Sequence, residues 1–322
     1  MTSTNAAAPE RRPLGRSGIA IAPLVFGGNV FGWTADEPTS FTLIDRFLDG
    51  GFNCIDTADV YSRFAPGNVG GESETIIGNW LARGGHRDRL VIATKVGMDM
   101  GEDRKGLSRR WIMQAAEDSL RRLKTDHIDL YQSHQADPAT PQEETLRAYE
   151  DLIAQGKVRA IGASNFDAAQ LREALDLSEA KHLPRYETLQ PGYSLADRAF
   201  EGPLQDLCAA EGVGVITYFS LAGGFLTGKY RSEADLAGRA RARIAGQWLN
   251  PRGLAVLASL DQVAEQLSAT QAQVALAWLM TRKAVVAPIA SATSVPQLDE
   301  LMGAARLRLS PEQVAQLDAA SA

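Results

Sequence analysis

Short apolar runs alternate with helical stretches along almost the whole chain, and this alternation constrains the fold more than any other feature. Strand candidates begin near Leu24, Asn53, Leu90, His127, Val158, Tyr186, Val213 and Val285. Helix candidates lie near Thr39–Asp49, Glu72–Ala82, Arg109–Leu123, Gln142–Ala154, Ala168–Leu175, Gly202–Glu211, Leu254–Leu267, Gln271–Thr281, Val295–Ala304 and Pro311–Ala319. Strictly alternating strands and helices predict a parallel sheet with right-handed crossovers. Eight such units predict a closed (β/α)8 barrel.

Three segments stand outside the alternation. Pro13–Pro23 carries a glycine turn between short apolar stretches, which predicts a β-hairpin ahead of the barrel. Ser220–Asn250, after the seventh strand, is rich in Gly and Arg with weak periodicity and predicts a long loop over one barrel face. Residues 1–12 lack the apolar core of a signal peptide, so we expect a flexible tail followed by a single barrel domain over residues 13–322.

Charge and cysteine content exclude several classes of function. The formal net charge is −6, from 33 Lys and Arg against 39 Asp and Glu, so no basic surface for nucleic acid is expected. No run approaches the roughly 18 apolar residues of a membrane span. Cys54 and Cys208 lack the spacing of metal ligands, so we predict no metal site and a reducing, cytoplasmic environment. The oligomeric state stays open.

Polar or glycine residues stand at the carboxyl end of every predicted strand. In chain order they are Gly27-Gly28-Asn29, Asp56, Lys95, His134, Ser164-Asn165, Gln190, Tyr218 and Ser291. One such residue alone would indicate a turn. In a barrel, however, these strand ends meet at one face, where barrel enzymes carry their active sites. The full set therefore predicts a shared, ligand-sized pocket.

Three of these positions, Asp56, Lys95 and His134, form a chemically sensible group with Tyr61. Tyr61 follows Asp56 by five residues, but a phenol with a pKa near 10 is a poor proton donor at neutral pH. An ammonium on Lys95 would favour the phenolate, and Asp56 would keep that ammonium charged and in place. His134 would orient a substrate oxygen, and Tyr61 would act as general acid on a carbonyl. None of these side chains can donate hydride, so a redox cofactor is implied.

Longer motifs resemble the aldo-keto reductase superfamily from Leu14 to about Leu307. The matching segments are Asp56–Tyr61, Gly71–Glu74, Thr94-Lys95, Tyr131–His134, Gly156–Phe166 and Leu226–Tyr230. Within that superfamily, the chain most resembles the branch that includes potassium-channel β-subunits and bacterial sugar-type reductases. This resemblance implies NAD(P)-dependent carbonyl reduction, with Tyr61 as general acid/base, Lys95 and Asp56 as its tuning pair, and His134 as the carbonyl-orienting residue.

The resemblance also implies a set of cofactor contacts. Ser164, Asn165 and Gln190 should hold the nicotinamide carboxamide, and Tyr218 should stack on the nicotinamide ring. The remaining expected contacts are Gly28, Asn29 and Asp56; Phe219, Ser220, Leu221, Gly223, Gly224 and Lys229 along the pyrophosphate; and Ser291, Thr293 and Gln297, with Glu300 nearby, at the adenosine end. No Gly-x-Gly-x-x-Gly motif follows a strand, so a Rossmann mode of binding is not expected.

A few positions depart from the pattern of the family. Gly28 stands where Thr is common, Thr293 where many relatives carry Arg or Lys, and Leu301 replaces a frequent Asn. Loss of a cation weakens the grip on a 2′-phosphate, because Arg contacts are the strong way to hold phosphate. Arg239, Arg241 or Arg243 could supply the missing charge. We therefore expect NADP(H) to be preferred, with NAD(H) possible.

The substrate pocket is the least defined part of this interpretation. Phe31, Trp33, Phe64 and Trp248 lie in loops after predicted strands and are candidates for lining its mouth. An aromatic mouth with few charges favours small aldehydes, ketones or sugar-like carbonyls. Two alternatives remain: an aldolase that forms a Schiff base at Lys95, and an NADP(H)-binding redox sensor with slow turnover, against which His134 argues.

Overall fold

The computed structural model describes residues 8–84 and 86–322, and its centre is a closed barrel of eight parallel strands. The strands are β3 Val25–Gly27, β4 Cys54–Asp56, β5 Val91–Val96, β6 Ile128–Ser133, β7 Val158–Ser164, β8 Tyr186–Gln190, β9 Gly214–Thr217 and β10 Val285–Ala290. They pair in chain order, and β10 closes onto β3 through Ile289 opposite Val25. The predicted (β/α)8 barrel is confirmed.

Each strand begins within one residue of its predicted start. The apolar runs were reliable markers because helices cover the outer face and side chains fill the interior, so most strand residues are shielded from water. All residues of β5, β6 and β10 are buried, whereas Arg159 in β7 is exposed.

The helices that cover the barrel are α1 Glu37–Asp49, α2 Glu72–Ala82, α3 Arg109–Leu123, α4 Gln142–Ala154, α5 Ala168–Lys181, α6 Pro203–Glu211, α7 Ala242–Gly246, α8 Pro251–Leu267, α9 Gln271–Met280, α10 Val295–Gly303 and α11 Pro311–Ser321. Helix α5 runs six residues past its predicted end at Leu175. Its last turns are mostly polar, so the apolar period stops early, whereas the helix ends at His182 in a left-handed conformation. Helix α1 begins earlier than predicted because Asp36 caps it, accepting from the Thr39 N–H (3.0 Å).

A hairpin closes the amino-terminal floor of the barrel. It pairs β1 (Arg12–Pro13) with β2 (Ala20–Ile21), and buries Leu14, Ile19 and Ile21 against side chains from the beginnings of the strands. The hairpin is therefore present as predicted, and Arg12 belongs to it rather than to a tail. Residues 1–7 of the predicted tail lie outside the described residues. The assignment of residues 13–322 to one domain stays a prediction.

The segment Ser220–Asn250 contains more local structure than the predicted loop. It holds two 3-10 turns, Ala222–Thr227 and Glu233–Leu236, and then the short helix α7. Gly223 adopts φ 69° and lies close to Ile244 of α7, so the segment folds back on itself. In the part of the chain that the structure describes, every helix is too short or too polar to cross a membrane.

Candidate active site

Asp56, Tyr61, Lys95 and His134 come together at the open, carboxyl-terminal end of the barrel. Asp56 is the last residue of β4, Lys95 lies near the end of the adjacent β5, and His134 directly follows β6. The Lys95 Nζ atom lies 2.7 Å from Asp56 Oδ1 and 2.8 Å from the Tyr61 hydroxyl. The rings of Tyr61 and His134 meet edge to face at 6.1 Å. The four residues share one site because parallel strands end at the same face.

Lys95 is enclosed by oxygen atoms. Its side chain is fully buried, and Nζ also donates to the carbonyl oxygen of Thr57 at 2.8 Å. A buried ammonium is tolerated only when acceptors replace its lost hydration, and here Asp56, Thr57 and Tyr61 supply them. Burial lowers the pKa of Lys95, and the charge of Asp56 opposes that change. Lys95 is therefore held in one place by three neighbours.

The Tyr61 hydroxyl donates to Asp56 Oδ2 at 3.0 Å and accepts from Lys95. Burial and the adjoining Asp56 carboxylate raise the pKa of Tyr61 well above 10. From the sequence we expected Lys95 to lower the pKa of Tyr61, but in the structure burial and Asp56 raise it. Tyr61 is consequently a protonated phenol at neutral pH, with a cation placed to stabilise the phenolate that remains after proton donation.

His134 presents a neutral imidazole beside Tyr61. Burial, followed by the nearby charge of Lys95, lowers the pKa of His134 well below its usual value. Its Nδ1 atom is buried without a hydrogen-bond partner in the structure. A neutral imidazole carries one N–H, so it can donate one hydrogen bond to a substrate oxygen without itself carrying charge.

A chain of hydrogen bonds extends from the tetrad, as we call Asp56, Tyr61, Lys95 and His134, along the ends of β7, β8 and β9. The Gln190 side chain donates to Asp56 Oδ1 (2.7 Å), and Ser164 Oγ donates to the Gln190 carbonyl oxygen (2.9 Å). The Asn165 amide donates to the His134 carbonyl oxygen (2.9 Å) and accepts from the Tyr218 hydroxyl (2.7 Å). The Gln190 amide nitrogen is thus engaged with Asp56, which the sequence did not indicate. Together these groups form a polar shelf beside an aromatic ring.

The segment after β9 turns sharply through left-handed residues. Phe219 and Ala222 adopt φ of 51° and 50°, and Gly224 adopts φ of 96°. A Cβ atom at Gly224 would stand 3.3 Å from Lys229 Nζ, so a larger residue would be both strained and crowded there. The exposed Lys229 ammonium forms no salt bridge within the described residues. The turn thus begins directly after Tyr218 of the shelf and has the Lys229 ammonium next to Gly224.

Around the mouth from β9, the ends of the neighbouring strands β10 and β3 are joined. With its amide oriented to suit both neighbours, Asn29 donates to Ser291 Oγ (2.7 Å) and accepts from Arg241 Nη2 (3.1 Å). The Arg241 guanidinium also lies 5.8 Å from the Trp33 ring centroid, and burial lowers its pKa. Among the described residues it has no carboxylate partner, so an anion could still be accommodated there.

Two further predicted contacts are already engaged. Thr293 donates through its N–H and its hydroxyl to Gln297 Oε1, at 3.0 and 3.1 Å. Gly28 is packed so closely that a Cβ atom would stand 3.0 Å from the carbonyl oxygen of Asp56 and from Ser73 Oγ. Glycine at position 28 therefore avoids two close contacts that a larger residue would make.

Comparison with known proteins agrees with this architecture. The model of the aldo/keto reductase family matches residues 23–322. The chain belongs to that family. YrpG from Bacillus subtilis (strain 168), named an uncharacterized oxidoreductase, is 36% identical to this aldo-keto reductase over 307 residues, covering 93% of this chain and 92% of YrpG.

Two further relatives cover the chain to a similar extent. The protein tas of Escherichia coli (strain K12) is 33% identical over 330 residues, covering 94% of this aldo-keto reductase and 95% of tas. The aldo-keto reductase YhdN of Bacillus subtilis (strain 168) is 32% identical over 292 residues, covering 88% and 84%. The chain is thus a family oxidoreductase on a barrel, as its motifs indicated.

The aromatic residues predicted to line the substrate mouth separate into two groups. Trp33 and Phe64 contact each other edge to face at 4.8 Å, and 60% of Phe64 is exposed. Trp248 lines a cavity of about 250 Å³ together with Tyr218 and Phe219. Phe31, however, is fully buried in the core beside Phe26, so its placement at the mouth is wrong. Its spacing after β3 gave no sign of this inward orientation.

Sequence reasoning passed over two residues of this aldo-keto reductase that lie next to the tetrad. The Thr57 carbonyl oxygen accepts from Lys95, and the Thr57 hydroxyl is bonded to Ser73 at 2.8 Å. Asp59 is 2% exposed, and both of its carboxyl oxygens lack a hydrogen-bond partner. The available signal was position, because both residues lie between Asp56 and Tyr61 in a segment that follows a buried strand.

Proposed function

We propose that this protein reduces aldehydes and ketones to alcohols, using NADPH in preference to NADH. The observation that carries the proposal is the Tyr61 hydroxyl, which lies within hydrogen-bond distance of both Asp56 and Lys95 beside the His134 ring. A phenol held between a cation and a carboxylate at the mouth of a barrel is suited to pass one proton to a ligand oxygen.

Each of the four residues would have a separate role in carbonyl reduction, which follows from its charge. Neutral His134 would donate a hydrogen bond to the substrate carbonyl and fix its orientation, and Tyr61 would protonate the carbonyl oxygen. The phenolate then left on Tyr61 would be stabilised by Lys95 at 2.8 Å. Asp56 would keep Lys95 charged and correctly placed. A bound reduced nicotinamide would supply the hydride, which none of these side chains can provide.

The residues around the tetrad fit such a cofactor. Tyr218 offers a ring face, and Ser164 and Asn165 offer polar atoms beside it, as does the Gln190 oxygen that remains after its amide nitrogen binds Asp56. Phe219, Ser220, Leu221, Gly223 and Gly224 would lie along the pyrophosphate, with Lys229 as its counter-charge. Asn29, Ser291, Thr293 and Gln297, with Gly28 and Asp56, complete the proposed contacts.

The preference for NADPH is supported by Arg241. Of the loop arginines Arg239, Arg241 and Arg243, Arg241 has its guanidinium at the ends of β3 and β10, bonded to Asn29 and with no carboxylate partner among the described residues. A half-buried cation of this kind would be better satisfied by a phosphate than by a ribose hydroxyl. Arg241 would thus supply the positive charge that is missing at Thr293.

The substrate class proposed is small aldehydes and ketones, including sugar-type carbonyls. Trp33 and Phe64 give the mouth apolar walls, and Phe219 is 52% exposed nearby in the turn after β9. Small molecules of this kind are the only partners that we propose. The cysteines at 54 and 208 are buried free thiols, which supports a reducing compartment such as the cytoplasm.

A turnover assay with a panel of aldehydes and ketones tests the proposal directly. We expect the protein to consume NADPH with several of them, and Tyr61→Phe to bind NADPH but not oxidise it. Tight NADPH binding without turnover on any carbonyl would favour the redox sensor instead. Trapping of Lys95 by borohydride in the presence of a carbonyl compound would favour the aldolase.

A further inference from the structure

Asp59 is a carboxylic acid buried in the segment that joins Asp56 to Tyr61. It is 2% exposed, and neither carboxyl oxygen has a hydrogen-bond partner in the structure. Its backbone N–H donates to the carbonyl oxygen of Lys95 at 3.3 Å, so it is fixed to the strand that carries the buried lysine. Buried carboxyl groups are nearly always paired, and one that is not requires an explanation.

The neighbours of Asp59 explain why it lacks a partner. Glu74 on α2 accepts from Thr94 Oγ1 (2.5 Å) and from the Arg122 guanidinium (2.7 Å). The nearby cation of Arg122 is therefore already engaged by Glu74. The Tyr131 hydroxyl, on β6, is also buried and unpartnered in the structure. These residues form a polar cluster between the barrel wall and helices α2 and α3, on the outer side of the wall from Asp56.

The charge of Asp59 is coupled to that of Lys95. Burial, and then the charge of Glu74, raise the pKa of Asp59 to about 8, and Arg122 and Lys95 oppose this. An ionised Asp59 in turn raises the pKa of Lys95, against the effect of burial. The charged and titratable groups that face Asp59 are Glu74 from α2, Arg122 from α3, Lys95 from β5, Tyr131 from β6 and Tyr149 from α4.

We propose that Asp59 is a positioning residue for carbonyl reduction: from the outer side of the barrel wall, its carboxylate sustains the ammonium of Lys95 and thereby the strength of Tyr61 as an acid. This inference rests on the function proposed above. Asp59 acts through Lys95 because the groups that shift the pKa of Tyr61 directly are Asp56 and Tyr218. Below about pH 8 Asp59 is protonated and has no charge with which to support the Lys95 ammonium. Above that pH, its negative charge adds to that of Asp56.

The test is the pH profile of Asp59→Asn, which removes the charge and keeps the shape. With saturating NADPH and one aldehyde, kcat should match wild type within about twofold near pH 6.5, where Asp59 is protonated. Near pH 9.5 kcat should be lower by up to about tenfold, which is the largest change in the ammonium fraction of Lys95 that a one-unit fall in its pKa can cause. KM should not change. Asp49→Asn, an exposed aspartate on α1, is the matched control and should follow wild type throughout.

Coincident pH profiles for Asp59→Asn and wild type would overturn the inference. An equal loss of kcat at every pH would also overturn it, because a purely structural defect has no reason to depend on ionisation. The pH dependence of thermal stability gives a readout that needs no turnover. Since the folded state raises the pKa of Asp59, wild type should lose stability relative to Asp59→Asn as the pH rises toward 8.

The two readouts separate this inference from the proposed function. Wild-type turnover with coincident pH profiles would overturn the role of Asp59 alone and leave carbonyl reduction intact. Absence of turnover in wild type, even with the expected stability difference, would overturn both, because no reaction would then exist for Asp59 to support. The expected result is turnover with a loss confined to alkaline pH.

Discussion

The ion pair of Lys95 and Asp56 is the most sensitive point of the site, and Lys95→Met tests it. The Nζ and Oδ1 atoms lie 2.7 Å apart, and the side chains are 0% and 2% exposed. Removing one member of a buried pair costs about 3–5 kcal/mol, because the other charge is left without its partner. Gln190 and Tyr61 still donate to Asp56 at 2.7 and 3.0 Å, so we expect the lower end, about 3 kcal/mol.

Urea denaturation of Lys95→Met, Asp56→Asn and the double variant measures this coupling. Methionine keeps the length of the lysine stem without its charge, so little packing is lost. The double variant contains no buried charge at this point, and it should be more stable than the sum of the single changes predicts, by about 2 kcal/mol. Additive effects, or a loss below about 0.5 kcal/mol in Lys95→Met, would refute the account of the pair.

The same variant reports on the chemistry. Without the ammonium, the Tyr61 phenolate has no cation within hydrogen-bond distance, so kcat should fall about a hundredfold, at the lower end of what general acids contribute. A titration followed by NADPH fluorescence should give a Kd for Lys95→Met close to that of wild type, because Lys95 has no proposed contact with the cofactor. A large rise in that Kd, with kcat unchanged, would show that the lysine serves binding.

Three further variants test the neighbouring groups. Tyr61→Phe should lower kcat by about a hundredfold or more while leaving NADPH binding unaltered. Normal turnover in this variant would show that Tyr61 is not the general acid. The folded state lowers the pKa of His134, so it contributes stability above the unfolded value near 6.5 that is lost as the pH falls. Urea denaturation near pH 7 and pH 5 should show a smaller loss for His134→Gln than for wild type, and equal losses would contradict a buried neutral imidazole. Arg241→Met should weaken NADPH binding about tenfold and NADH binding much less; equal losses would place the guanidinium away from the 2′-phosphate.

The barrel and its tetrad could be predicted because both depend on regular geometry. The strand starts followed from short apolar runs, since most residues of the strands are buried. Asp56, Lys95 and His134 then had to lie at one face, because the strands that they end are parallel neighbours. Tyr61 was within reach because only four residues separate it from Asp56.

Interactions between side chains could not be read in the same way. The sequence predicts that Lys95 and Tyr61 are close, but burial and the adjoining Asp56 carboxylate, which only the structure shows, make the pKa of Tyr61 rise instead of fall. Gln190 was predicted to contact a cofactor, yet nothing in its spacing indicated the bond to Asp56. Phe31 and Asp59 lie in irregular segments without a period, so the burial of each depends on tertiary packing alone.

The structure also explains why the polar groups can be concentrated at one end of the barrel. The hairpin fills the floor with Leu14, Ile19 and Ile21, so the lower barrel is apolar and dry. Charges inside such a barrel are stable only where they satisfy each other, as Asp56 and Lys95 do with Tyr61 and Gln190. Asp59 departs from this rule, because its carboxyl oxygens have no partner and the group stays protonated up to about pH 8. The carboxylate that forms above that pH costs stability but favours the charged form of Lys95, which is better explained by a contribution to the reaction than by a contribution to the fold.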